Sequence, residues 1–219
     1  MLPSLFTQNT DRNGKVKRLG ARLLVFDTNN PESGWKELPA CPGTPRFTQA
    51  VAAVKGMIYV IGGAAGNDNA SGKYATIVDN WRYDPTTEKW SPLPDTPIAS
   101  GNFPSGSIVF ENRYIVLVGG FQYENVLNPD GTMRKPYGKV FRHYKNNRYA
   151  SNVFVFDTKT NRFGSADQLP LNNDGPLTVL QGRHLYLIGG ETGGSVIQGE
   201  YFGHKPDLFL VGTIREAAH

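Results

Sequence analysis

Glu191 is the residue whose type and position most directly suggest chemistry. It follows the doublet Gly189-Gly190, whereas two earlier glycine doublets are followed by Ala64 and Phe121. A carboxylate held in a fixed place can accept or donate a proton in general acid–base catalysis. The same carboxylate could instead cap the backbone amides of its own loop, which is a structural role. The sequence leaves both interpretations open.

Arg46 is the second candidate catalytic residue. Its guanidinium could clamp a substrate carboxylate through two parallel hydrogen bonds, or pair with an acidic side chain of the protein. Glu200, His143 and His204 are further candidates on the same predicted side of the molecule. The histidines show no metal-binding spacing such as H-x-x-x-H, so we predict neither a metal nor another cofactor.

The segment 121–151 combines basic and aromatic side chains. Six basic residues stand against two acidic ones, an excess equal to the +4 net charge of the whole chain. We consider a solvated insertion pinned by its aromatic rings, a lid over an anionic ligand such as an acidic sugar or glycan, and a nucleic-acid contact. No recognised nucleic-acid module accompanies the charge, so nucleic acid is not a predicted partner. The candidate substrate-binding residues are Tyr123, Glu124, Arg142, His143, Tyr144, Arg148 and His204.

An internal repeat must position these residues. Three runs of β-branched and aromatic residues, beginning at Met57, Tyr114 and Leu185, each end in two glycines. Their composition is typical of buried strands. The glycines allow positive φ or the close approach of a neighbouring chain. A repeat of about 50 residues is typical of propeller arrays.

The strands around the glycine doublets also repeat. A short strand and a hairpin turn precede each doublet strand, and a strand that ends in Asp follows the first two doublets and also occurs once before the first. The Asp predicts a tight turn capped by its carboxylate, and an aromatic residue after the turn predicts packing between adjacent sheets. One unit therefore has four strands, as a propeller blade does. The aspartates are Asp27, Asp84 and Asp157, and the aromatic residues are Trp35, Trp90 and Phe163.

The order of glycine doublet, aromatic-Asp and Trp resembles the kelch motif. The resemblance implies an all-β, kelch-type β-propeller of about three to three and a half four-stranded blades within residues 21–214. The predicted parts are a two-stranded pair at 21–40, full blades at 46–95 and 103–170, three strands at 176–214, a loop or remnant of a preceding blade at 1–20, and a tail at 215–219. Open blade faces would be an aggregation liability. We therefore expect a piece of a six-bladed ring that lacks blades on its N-terminal side, with self-association of an open half-ring as the alternative.

The long predicted connections define a working face. The segments 64–79, 121–151 and 191–205 each join the second strand of a unit to the third, so they emerge at one end of the blades. Long loops on a rigid scaffold commonly bear functional residues. We therefore predict the ligand site at this end.

The composition fits an all-β chain, and it also bears on disulfides, membrane contact and cellular location. With 25 Gly and 15 Pro in 219 residues, turns are frequent. The single cysteine, Cys41, cannot form an internal disulfide and is expected to be a buried free thiol. Residues 1–10 lack the pattern of a signal peptide, and no apolar run approaches the about 18 residues that span a bilayer, so no membrane partner is predicted. The compartment stays open, and a periplasmic or extracellular location would require an export signal elsewhere in a longer protein.

Among kelch proteins the chain resembles the bacterial N-acetylneuraminate (sialic acid) mutarotases, also called epimerases. The shared features are Trp35, Leu38 and Pro42-Gly43-Thr44-Pro45-Arg46, a long insertion after the second glycine doublet, and the carboxylate that follows the third. The family's catalytic pair is a Glu in the position of Glu191 and an Arg six residues later, where this sequence has Ile197. Galactose oxidase is a more distant kelch relative, and its copper ligands are not recognisable here.

The resemblance implies an isomerase that interconverts the α and β anomers of a carboxylated sugar. Glu191 would transfer the proton and Arg46 would hold the sugar carboxylate. The alternative function is a non-catalytic kelch module that binds a glycan or a protein partner through its long loops. Such a module needs aromatic and basic groups but no acid that transfers a proton.

Overall fold

The computed structural model of the chain describes residues 22–66, 74–97, 100–101, 107–121, 125–127, 133–134, 149–197 and 200–215. Over these residues the regular structure consists of β-strands and one short 3₁₀ turn at Pro31–Ser33. In chain order the strands are β1 (Leu23–Phe26), β2 (Trp35–Leu38), β3 (Ala50–Val54), β4 (Met57–Ile61), β5 (Ala64–Gly66), β6 (Tyr74–Ile77), β7 (Asn80–Asp84), β8 (Lys89–Leu93), β9 (Ser107–Phe110), β10 (Tyr114–Val118), β11 (Asn125–Leu127), β12 (Met133–Arg134), β13 (Val153–Asp157), β14 (Arg162–Ser165), β15 (Leu177–Gln181), β16 (His184–Ile188), β17 (Gly194–Ile197), β18 (Glu200–Gly203) and β19 (Phe209–Thr213). None of the described residues lies in a helix long and apolar enough to cross a membrane.

Two four-stranded antiparallel sheets form the centre of the described fold. Their strand orders are β3-β4-β7-β8 and β9-β10-β13-β14. The pair β1-β2 precedes them in the sequence, and the three-stranded sheet β15-β16-β19 follows. In both four-stranded sheets the glycine-doublet strand lies between the strand before it and the aromatic-Asp strand after it, and in the three-stranded sheet β16 lies between β15 and β19. The predicted all-β fold is confirmed.

The hydrophobic core lies between successive sheets. Side chains alternate along a strand, so each strand presents one row of residues to each neighbouring sheet. Ile61 of β4 packs in one cluster with Leu117 of β10. Val116 and Val118 of β10 point the other way and pack in a second cluster with Leu187 of β16. Strand β10 is therefore covered on both faces, which explains its uninterrupted apolar sequence.

The predicted aspartate-capped turns are present in all three copies. The Oδ1 atoms of Asp27, Asp84 and Asp157 accept hydrogen bonds from backbone N–H groups two residues further on, at 2.8, 2.8 and 2.9 Å. These bonds close each turn between the third and fourth strands of a unit. The same hydrogen bond from the backbone to an aspartate therefore closes the turn in all three copies of the repeat.

The aromatic residues after these turns contact rings of their own sheets, and Phe163 also packs against the core between the two central sheets. Each one contacts the aromatic ring of the preceding strand, with ring centroids 4.7 to 5.2 Å apart. Trp90 also reaches the preceding pair of strands, because its Nε1 donates to the carbonyl oxygen of Pro39 at 2.8 Å. The prediction of packing between sheets is wrong for Trp35, which is 59% exposed. No described sheet covers its side of β1-β2.

The glycine doublets occupy backbone conformations that side chains rarely adopt. All six glycines have φ between +58° and +108°. A Cβ on Gly63 would lie 2.9 Å from the carbonyl oxygen of Phe47, and a Cβ on Gly190 would lie 2.0 Å from Oδ1 of Asn173. Both sequence-based reasons for the glycines, positive φ and close approach, are therefore confirmed.

The long connections contain strands that the sequence analysis treated as loops. Strands β5 and β6 form a hairpin inside the segment 64–79, and β11 of the segment 121–151 pairs in parallel with β6. With β12 they form one four-stranded sheet, and β17-β18 is a hairpin inside 191–205. These strands have two to four residues, too few for alternation to be recognised. The shared sheet places the first two connections at the same end of the blades.

The outer face of β15-β16-β19 carries a row of exposed apolar residues. Leu177 of β15 pairs with Ile188 of β16, which pairs with Phe209 of β19. All three are exposed. Ile188 immediately precedes its glycine doublet, as Ile61 does in β4. The same repeat position is therefore buried between sheets in one copy and exposed in another.

This difference predicts unequal costs for one substitution at two equivalent positions. Ile61 is 1% exposed and Ile188 is 40% exposed. We expect Ile61→Ala to lower the free energy of unfolding by about 2–5 kcal/mol, because it leaves a cavity between packed sheets. Ile188→Ala should cost less than about 1 kcal/mol. Urea denaturation of both variants measures the difference, and equal losses would contradict the assignment of the core.

Asp157 and Asp84 form a matched pair for a test of pH dependence. Both accept hydrogen bonds from their own turns, but Asp157 also receives Nε and Nη2 of Arg113 at 2.8 and 2.7 Å. These arginine bonds are the main reason that the pKa of Asp157 lies well below its ordinary value. The resulting stabilisation is present above the unfolded pKa of about 3.9 and is lost as the pH falls towards the lower folded value.

We expect Asp157→Asn to lower the free energy of unfolding at pH 7 by about 1 kcal/mol. The difference from the unsubstituted chain should shrink as the pH falls below about 4. Asp84→Asn is the control, because no guanidinium contributes to the lowered pKa of Asp84. Urea denaturation between pH 3 and 7 checks this, and identical pH dependence for the two variants would refute it.

Candidate functional site

The residue after each glycine doublet forms the same backbone pairing. Ala64, Phe121 and Glu191 each make an isolated antiparallel bridge to a residue of the connection that enters the same sheet. The partners are Phe47, Gly101 and Asp174, and the reciprocal N–H···O hydrogen bonds measure 2.8 to 3.0 Å. The repeat therefore brings three bridged pairs to one end of the molecule.

These pairs surround a cleft of about 270 Å³. Its lining residues are Phe47, Thr48, Ala64, Gly101, Phe121, Tyr149, Asp174 and Glu191. The lining includes three aromatic side chains and two carboxyl groups. The cleft lies where the three long connections begin, at the end predicted to be the working face.

Backbone and side-chain contacts hold Glu191 in this lining. Its N–H donates to the carbonyl oxygen of Asp174 at 2.9 Å and to Oδ1 of Asn173 at 3.1 Å. The hydroxyl of Tyr149 donates to its Oε1. Tyr149 is buried, and its ring packs on Phe121 with centroids 5.5 Å apart. The carboxylate is therefore half-buried and oriented by a fixed donor.

The buried residue Asn173 holds the backbone around Glu191 in place. It is fully buried, and its Nδ2 donates to the carbonyl oxygen of Gly189 at 3.0 Å. Its backbone joins the preceding sheet, because its N–H donates to Ala150 at 3.0 Å and its carbonyl oxygen accepts the N–H of Gly120 at 2.9 Å. Asn173 thus ties the third glycine doublet to the second.

Arg46 occupies the equivalent place in the first copy. It directly precedes the bridged residue Phe47, as Asn173 precedes Asp174, and its Nη1 donates to the carbonyl oxygen of Gly62 at 3.1 Å. Its side chain is 5% exposed and is not among those that line the cleft.

The guanidinium of Arg46 has several further partners inside the protein. Nη1 donates to the backbone oxygen of Asp79 at 2.7 Å, Nε donates to that of Thr44 at 3.0 Å, and Nη2 pairs with the carboxylate of Asp79. Trp81 donates its Nε1 to the same carboxylate at 2.6 Å. A Cβ on Gly43 would lie 2.1 Å from that indole nitrogen. The structure therefore gives Arg46 a buried structural role, and its predicted contact with a sugar carboxylate stays a prediction.

The other predicted site residues divide into two groups. His204 is exposed and pairs through its backbone with Thr192 and Gly193, at 3.0 and 2.7 Å, so it lies beside the cleft but does not line it. Glu200 begins β18, and the remaining candidates lie outside the described residues: Tyr123, Glu124, Arg142, His143, Tyr144 and Arg148. Ile197, at the place of the family's arginine, ends β17.

Sequence reasoning identified Glu191 alone as a site residue among the eight residues that line the cleft, and three of the residues it missed bear on the chemistry. Tyr149 is only one aromatic residue among many in its segment, and Asp174 lies in a connection without a recognised motif. The signal for Asp174 was its offset from Glu191, which equals that of Phe47 from Ala64. Thr48 is the third, and its φ of +54° is rare for a β-branched residue. Such strained residues cluster at functional sites.

The described residues give little support to a metal site or to a nucleophilic cysteine. Among them there is no group of three or more His, Cys, Asp or Glu side chains that could hold a metal ion. Burial is the main reason that the pKa of the Cys41 thiol is raised. A raised pKa lowers the thiolate fraction, which is the nucleophilic form.

Comparison with known proteins adds the family. The N-acetylneuraminate epimerase family model matches residues 18–192, a span that includes Glu191 and every residue lining the cleft. The chain belongs to the N-acetylneuraminate epimerase family.

Individual members of this family are distant in sequence. The chain is 25% identical over 184 residues to an N-acetylneuraminate epimerase of Haemophilus influenzae (strain PittEE), covering 78% of this chain and 48% of that protein. An N-acetylneuraminate epimerase of Yersinia enterocolitica is 27% identical over 184 residues, with 78% and 47% covered. The chain spans about half the length of these relatives.

A solved structure described as that of YjhT has the same fold. It aligns with a TM-score of 0.61 and 23% identity, covering 78% of this chain and 53% of the other. With the sheets described above, this likeness confirms the kelch-type β-propeller fold.

The structural role of Arg46 predicts a large loss of stability when its charge is removed. Arg46→Met would leave the buried carboxylate of Asp79 without its cationic partner, which we expect to cost about 3–5 kcal/mol of unfolding free energy. Arg22→Met is the control, because Arg22 and Glu37 form an exposed pair whose loss should change little. Urea denaturation measures both. Unchanged stability of Arg46→Met would contradict the structural role.

Proposed function

We propose that the cleft interconverts the α and β anomers of N-acetylneuraminate or a closely related carboxylated sugar. The observation that carries this proposal is the half-buried carboxylate of Glu191, which faces the cleft and is oriented by Tyr149. Membership of the N-acetylneuraminate epimerase family supports the choice of substrate class.

The shape and lining of the cleft suit a single sugar ring. Its volume of about 270 Å³ lies just below the range of roughly 300–1,000 Å³ that holds drug-sized ligands. Phe47, Phe121 and Tyr149 offer aromatic surface against which the apolar face of a pyranose can pack. Thr48, whose backbone is strained, also lines the cleft.

The reaction requires two proton movements and no external reactant. A base removes the proton of the anomeric hydroxyl, the bond between the anomeric carbon and the ring oxygen breaks, and the ring oxygen gains a proton. The open-chain carbonyl compound then closes on its other face and the proton movements reverse. In our proposal Glu191 accepts the hydroxyl proton through Oε2, because Oε1 already accepts the hydrogen bond from Tyr149.

Two parts of the sequence-based hypothesis remain predictions. The basic segment 121–151 is the candidate for holding the sugar carboxylate, through Arg142 and Arg148. The contact of Arg46 with the sugar carboxylate is the other prediction, and in the structure its guanidinium is engaged with Asp79 and Gly62.

The aromatic lining also favours a second function, which is glycan binding without catalysis. A binding module would use Phe47, Phe121 and Tyr149 as its platform and would not need Glu191 to transfer a proton. The two functions differ in one measurable property, because a binding module leaves the rate of anomer exchange unchanged.

Glu191→Gln tests the catalytic proposal. We expect it to lower the enzyme-catalysed exchange rate of N-acetylneuraminate anomers by about 10²–10⁴-fold, because the amide cannot accept the proton. NMR exchange spectroscopy measures the rate after subtraction of the spontaneous reaction. Glu88→Gln, at an exposed turn between β7 and β8, should exchange at the original rate.

Two results would overturn the proposal. Undiminished exchange in Glu191→Gln would remove this residue from the mechanism. Binding of the sugar by the unsubstituted chain, without any acceleration of exchange, would establish the binding function in its place.

A further inference from the structure

The third bridged pair differs chemically from the two before it. In the first copy the bridge joins Phe47 to Ala64, and in the second it joins Gly101 to Phe121. Four positions of the same backbone arrangement are thus filled without a charged side chain. The bridged pair therefore forms without carboxyl groups in the first two copies, yet in the third copy both of its residues carry one.

The bridge sets the two acidic side chains side by side. Asp174 and Glu191 exchange N–H···O hydrogen bonds at 2.8 and 2.9 Å, so they are directly opposite each other. Side chains of directly opposite residues lie on the same face, with Cβ atoms about 4.5–5.5 Å apart. Like charges in this arrangement destabilise a pair of strands. An acidic pair at this position therefore points to a use other than stability.

We propose that Asp174 is the second proton-transfer residue of the cleft. This inference rests on the proposed function. Glu191 accepts the proton of the anomeric hydroxyl, and the protonated carboxyl group of Asp174 gives its proton to the ring oxygen as the ring bond breaks. On closure of the ring Asp174 takes its proton back from the attacking hydroxyl, whose oxygen becomes the ring oxygen, and Glu191 returns its proton to the carbonyl oxygen, which becomes the anomeric hydroxyl, so the pair ends in its starting state.

The division of roles follows from the contacts of the two residues. The hydroxyl of Tyr149 donates to Glu191, so this carboxylate is an acceptor in the structure and Tyr149 is its positioning residue. A reaction that removes one proton and adds another needs an acceptor and a donor, and two neighbouring carboxyl groups in different surroundings commonly supply them. Among the described residues that line the cleft, the titratable ones are Tyr149, Asp174 and Glu191.

Asp174→Asn tests the inference in the complete 219-residue chain. The amide has the same shape and can hold a sugar hydroxyl, but it cannot give up a proton to the ring oxygen. We expect kcat for exchange of N-acetylneuraminate anomers to fall by about 10²-fold or more, with KM changed less than about threefold. The fall of the rate on the alkaline side of the pH profile should also disappear. Asp207→Asn, at an exposed position before β19, is the control for a change of charge.

A second variant distinguishes loss of the acid from a purely structural effect of the substitution. Asp174→Glu keeps the acid and should restore at least about a tenth of the original kcat, provided that circular dichroism shows an unchanged melting curve. An Asp174→Asn variant that keeps its kcat and both limbs of the pH profile would overturn the inference. A raised KM with unchanged kcat would also overturn it, since that result assigns Asp174 to binding only.

The outcomes separate this inference from the proposed function. Loss of exchange in Glu191→Gln together with full exchange in Asp174→Asn would leave the proposed function standing and remove Asp174. Absence of catalysed exchange in the unsubstituted chain would remove both.

Discussion

The left-handed backbone of the glycine doublets is the constraint on which the cleft depends. Each doublet ends the second strand of a unit at positive φ, and the positions of Gly63 and Gly190 leave no room for a Cβ. This turn brings the next residue back against the connection that enters the same sheet. The three bridged pairs around the cleft therefore follow from six glycines. A larger residue in place of Gly190 would have to displace the side chain of Asn173, which accepts the N–H of Glu191.

Arg46 and Asn173 illustrate how one structural position can be filled by different chemistry. Both side chains donate to the carbonyl oxygen of the first glycine of a doublet, and both directly precede a bridged residue. The charge of Arg46 requires a buried partner, which Asp79 supplies. Asn173 achieves the same link without charge. An arginine that looks functional by type is thus explained by the repeat, whereas the carboxylates of the third bridge are not.

Much of the fold could be predicted from the sequence because its determinants are local. Strands such as β10, the turn at Asp84 and the positive φ of Gly62 depend on residues close together in the chain. The cleft could be predicted only in part. The position of Glu191 follows from the repeat, but its contact with Tyr149 joins residues far apart in sequence. The short strands of the connections also escaped prediction, since their pairing, such as that of β11 with β6, depends on tertiary structure.

In our proposal the reaction takes place at the third bridge, in the cleft at the glycine-doublet ends of the blades. A crystal structure of the chain with bound N-acetylneuraminate is the decisive test. We expect the sugar ring against Phe121 and Tyr149, with its anomeric hydroxyl within hydrogen-bond distance of Glu191 and its ring oxygen facing Asp174. A sugar bound at the opposite end of the blades, or one that contacts neither carboxyl group, would contradict it.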